Sequence, residues 1–83
     1  MKYMVAELLF KAIKAWYEDG KICILLSDKK EIRFPVELND RLNKATPDQL
    51  KNMEIICDGT GLHWPELDED LSLTGIIEGR FSA

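Results

Sequence analysis

At 83 residues the chain makes one small domain, residues 1–83, with enough length for a core but not for a large substrate chamber. Hydrophobic residues form 46% and charged residues 31%, which excludes a disordered tail. The net charge is −4, with eleven basic residues dispersed among fifteen acidic ones, so direct nucleic-acid binding is not expected.

The first sixteen residues carry two periods. Val5, Leu8, Leu9, Ile13 and Trp16 recur at helical spacing, while Ile13, Ala15 and Tyr17 alternate as in a strand. The apolar runs fall far short of the ~20 residues of a membrane span. Glu7 interrupts the leading run and no small-residue cleavage site follows it, so the chain reads as cytoplasmic. Cys23 and Cys57 form no Cys-x-x-Cys and stand in apolar contexts, which predicts two small core residues in a reduced compartment.

Asp19-Gly20 between two apolar runs is a hairpin signal, because both central residues of a tight turn need positive φ. It pairs a strand at 11–18 with one at 21–27. The turn Ser27-Asp28-Lys29-Lys30 leads to a third strand at 30–34, with Ile32 and Phe34 on one face and Glu31 and Arg33 on the other. Pro35 suits the first position of a short helix, with Leu38 and Leu42 sharing one face. Thr46-Pro47-Asp48-Gln49 is a capping box opening a second helix that ends near Asn52. Residues 53–57 and 61–64 read as a second hairpin around Asp58-Gly59-Thr60-Gly61, ended by Pro65. A last short helix follows Ser72 and ends at Gly79, burying Leu73, Ile76 and Ile77. The expected fold is α+β: five antiparallel strands, as a meander plus a hairpin, with short helices on one face.

Chemistry-bearing residues concentrate in one run, His63-Trp64-Pro65-Glu66-Leu67-Asp68-Glu69-Asp70. One imidazole with several carboxylates could bind a metal through His63, Asp68 and Asp70, although metal sites usually draw their ligands from several elements. The simpler reading places Asp68 and Asp70 ahead of a helix whose N-terminal dipole end favours negative charge. His63 is then a hydrogen-bonded rim residue and Trp64 a packing anchor. The Asp58–Gly61 loop lacks the following helix and Lys-Ser/Thr pair of a phosphate cradle. No serine sits on a nucleophile elbow.

The order Phe34-Pro35, Arg41-Leu42, Ala45-Thr46-Pro47, Asp58-Gly59-Thr60-Gly61, His63 to Ser72 and Gly75-Ile76-Ile77 resembles a bacterial family known as domain of unknown function twenty-four forty-two. The resemblance spans about residues 11–79, and the run His-Trp-Pro-Glu-Leu-Asp-Glu-Asp-Leu-Ser is specific to it. It implies a compact α+β domain, carried by bacteria and mobile elements beside genes for other small proteins, as in a toxin–antitoxin pair. Some relatives carry a helix-turn-helix segment, for which the residues after Gly79 are too few. Val36-Glu37-Leu38-Asn39-Asp40 stands where the family usually has aromatic residues, and Asp28-Lys29 where it commonly has Asp-Gly. The resemblance implies no cofactor and carries over no catalytic residue.

The expectation is a non-enzymatic interaction module, the antitoxin-like or regulatory half of a gene pair. It would meet a small basic protein through His63, Trp64, Glu66, Asp68, Glu69 and Asp70. The alternatives are a metal-dependent hydrolase or binder and a DNA-linked regulator acting within a complex. A core this small also leaves room for homodimerisation to add stability.

Overall fold

The computed structural model describes residues 10–81, so the helical periodicity of the first nine residues lies outside it. Two three-stranded antiparallel sheets carry short helices, in an α+β fold. The first sheet is the expected meander: β1 (Ala12–Glu18), β2 (Lys21–Leu26) and β3 (Glu31–Pro35), in the order β1-β2-β3. Asp19 and Gly20 close its first turn at φ 51° and 78°, the left-handed pair that the two-residue turn requires. Ile22, Ile24 and Phe34 face the core. Cys23 lies on the opposite face, between Trp16 and Arg33 in register, and is still fully buried. Burial pushes its thiol pKa up, away from reactivity.

The expected first helix is in fact two pieces. Pro35 ends β3, and a 3-10 turn (Val36–Leu38) precedes α1 (Asp40–Asn43). Asn39 separates them at φ −127°, where its side chain accepts the Leu42 N–H as the helix cap. The change of direction leaves Leu38 exposed in the 3-10 turn and Leu42 buried in α1, so the two do not share one helix face. Thr46 opens α2 (Pro47–Lys51) with the full capping box: its hydroxyl accepts Gln49 N–H at 3.2 Å, and Gln49 Oε1 accepts Thr46 N–H at 3.0 Å.

The second sheet holds β4 (Glu54–Ile56), β5 (Gly61–Trp64) and β6 (Glu69–Ser72), in the order β4-β5-β6. The sixth strand takes over the acidic run that was expected to precede a helix, because residues 65–68 turn the chain back along β5. β4 stops at Ile56, since Cys57 and Asp58 take φ 54° and 55° in a 3-10 turn. That turn places Cys57 at the surface, not in the core. Ser72 caps α3 (Leu73–Ile77), which buries Leu73 and Ile76 but leaves Ile77 exposed. Trp64, Leu62 and Leu71 complete the shared core from the inner face of the second sheet.

Candidate functional site

Alternation along β5 divides its residues between two environments. Leu62 and Trp64 turn inward, while Gly61 and His63 share the outer face. Register then builds the site, because residues directly opposite in antiparallel strands project from the same face. Glu54 of β4, His63 of β5 and Asp70 of β6 form one transverse row. Ile56, Gly61 and Ser72 form the next. His63 Nδ1 is bonded to Asp70 Oδ1; the imidazole side chain is 29% exposed and the carboxylate 67%. The row presents two carboxylates to solvent on either side of a half-covered ring.

The second row floors a concavity of about 260 Å³, walled by Cys57, Thr60 and Leu71. Gly61 keeps it open: a Cβ there would lie 3.2 Å from Ile56 Cγ1. The volume falls below the ~300–1,000 Å³ that small-molecule sites usually occupy. In the turn after β4, Asp58 has its pKa held below the usual carboxylate range by a 2.7 Å bond from Lys11 Nζ.

The expected patch is only partly brought together. Trp64 is fully buried and donates from Nε1 to the Leu50 carbonyl at 3.2 Å, so it is the packing anchor of the sheet. Glu69, expected at the surface, is 3% exposed. Its Oε2 accepts from Asn39 Nδ2 at 2.8 Å and its Oε1 from Asp70 N–H at 3.2 Å. Glu66 and Asp68 are exposed at the β5–β6 turn, away from the row. Glu66 accepts from Asn52 Nδ2 at 2.8 Å, while Arg41 donates to the Leu67 and Asp68 carbonyls. The described residues contain no group of three His, Cys, Asp or Glu side chains spaced to hold a metal ion, so His63, Asp68 and Asp70 do not form the alternative centre.

Two participants escaped the sequence reading. Glu54 joins the row only through the β4–β5 register, although the alternation of Met53 to Cys57 already placed it opposite Ile55. Asn39 ties α1 to β6 and to the Phe81 carbonyl. Its local signal was an Asn immediately before Asp40-Arg41-Leu42, a preferred helix-cap residue.

A family model described as "Protein of unknown function (DUF2442)" matches residues 12–82. A crystal structure of a protein of unknown function from Rhodospirillum rubrum is 38% identical with a TM-score of 0.83, covering 89% of this chain and 92% of that one. A solution structure of an uncharacterised protein from Chromobacterium violaceum is 30% identical with a TM-score of 0.82, covering 98% and 76%. No curated protein matches. Among the described residues, no helix is long and apolar enough to cross a membrane.

Proposed function

The chain belongs to the DUF2442 family, and from its site we propose that it is a non-enzymatic module that binds a basic protein through the outer face of β4-β5-β6. The observation that carries this reading is the row Glu54–His63–Asp70, set on a sheet face opposite the core. Rigid strands hold the charges, so little side-chain order remains to be imposed on binding. The net charge of −4 adds long-range attraction for a cationic surface. In its finer form, resting on the family resemblance alone, the module is the antitoxin-like or regulatory half of a gene pair.

The test is affinity purification from the native host, with the wild-type chain and the Glu54→Lys/Asp70→Lys variant as baits. A basic protein retained by the first and lost from the second is the expected result. Equal retention by both baits would move the interface elsewhere, and capture of no basic protein would end the proposal.

A further inference from the structure

Among the described residues the two sheets have four edges, and three are obstructed. β1 is bulged between Ala12 and Lys14 and packs against β4. β4 has only three residues. On β6 the Asp70 N–H is occupied by the carboxylate of its neighbour Glu69. Each device blocks strand addition in a way edge strands commonly use.

β3 is different. Leu26 N–H donates to the Lys30 carbonyl at 2.8 Å, and Val36 N–H to the Gly20 carbonyl at 3.0 Å. Hydrogen-bonded pairs alternate along an antiparallel ladder, so Ile32 and Phe34 direct their backbone groups at β2. Glu31 and Arg33 direct theirs outward, and both residues are exposed. Their side chains lie on one face, with Arg33 Nη2 donating to Glu31 Oε1 at 3.3 Å. Ile32, on the other face, is only half covered by the core.

We propose that β3 pairs antiparallel with β3 of a second copy, about a two-fold axis at Ile32, giving one continuous six-stranded sheet. The charge pattern selects both the occupant and the register. Centred on Ile32, each Glu31 stands opposite the other copy's Arg33, twice by symmetry, and these are the residues with outward backbone groups. Centred on Glu31, two carboxylates would face each other. Centred on Arg33, two guanidiniums would face each other, and Glu31 would meet Pro35, which has no N–H to donate. The favoured register also sets Ile32 against its own copy, covering the apolar side chain that the monomer leaves at the rim. Edge charges that repel most strands are here self-complementary in one alignment.

Sedimentation equilibrium of the full chain across micromolar to millimolar concentrations tests the pairing. The wild type should approach twice the 9.5 kDa monomer mass. Arg33→Glu, which replaces both attractive pairs with repulsive ones, should raise the dissociation constant by about tenfold or more. The swapped variant Glu31→Arg/Arg33→Glu restores the complementarity and should dimerise again. Amide exchange supplies a readout on the unmodified chain: Glu31 and Arg33 should gain protection as concentration rises. A wild type that stays monomeric throughout overturns the proposal, as does an Arg33→Glu variant that dimerises like the wild type. Loss of dimer in both the single and the swapped variant rejects this register.

Discussion

Asn39 Nδ2 donates to Glu69 Oε2 at 2.8 Å across thirty residues of sequence, and each residue is at least 97% buried. The amide also caps α1 through Oδ1 and reaches the Phe81 carbonyl, while Glu69 receives the Asp70 N–H. This pair joins the meander's exit, the last strand and the C-terminal segment in one polar cluster. No buried side-chain polar atom of the described residues is left without a partner.

Asn39→Ala removes the helix cap and strands the Glu69 carboxyl, and should destabilise the fold by about 3 kcal/mol. Glu69→Lys should leave the chain unfolded, because it buries an ammonium beside amide donors in a domain whose net stability is only a few kcal/mol. Urea unfolding followed by far-UV circular dichroism measures both. A Glu69→Lys variant as stable as the wild type would contradict the buried position of β6.

At Thr46 the capping box predicts a graded loss. Thr46→Ala should lower stability by ~1 kcal/mol and Gln49→Ala by somewhat less, read from urea midpoints at unchanged slope. Unaltered midpoints for both would mean that the box contributes nothing to the helix start.

Trp64 combines packing with one hydrogen bond, and two substitutions separate them. Trp64→Phe should cost about 1 kcal/mol for the lost bond to the Leu50 carbonyl. Trp64→Ala should cost ~3–5 kcal/mol through the cavity it opens. Equal effects would show that the indole N–H, not the ring volume, dominates.

The Lys11–Asp58 pair predicts the sign of one acid dependence. Asp58 has its folded pKa below the ordinary 3.8, so its contribution is present above that value. It is lost as pH falls through the lowered folded value. Lys11→Met should therefore flatten the stability curve below about pH 4, and the difference should shrink in high salt because the pair is exposed. Melting temperatures across pH 2 to 6 at two ionic strengths, roughly 0.01 and 1 M, check it.

Local chemistry made most of the fold legible. Asp19-Gly20 announced its turn through the conformation it must adopt, and the Thr46 box through the two N–H groups it satisfies. β6 was not legible, because its acidic residues satisfy a helix start as well as a strand. What decides between them is the turn at residues 65–68, which returns the chain along β5 and brings Glu69 to Asn39, thirty residues earlier. The candidate row was half legible: His63 and Asp70 stood out by type, whereas Glu54 entered only through strand register. Burial of Glu69 could not be read from a run of charges, since composition favours exposure and only a distant amide reverses it.

The polar cluster around Asn39 also predicts an order of events in folding. The β1–β2 hairpin closes across two residues and can form within microseconds, whereas Asn39 meets Glu69 and Phe81 only after long loops have closed. The expected outcome is that these long-range contacts are still unformed at the rate-limiting barrier. Weakening them should leave refolding rates nearly unchanged and speed unfolding instead. The lifetime of the native state, more than the speed of reaching it, then rests on one buried asparagine.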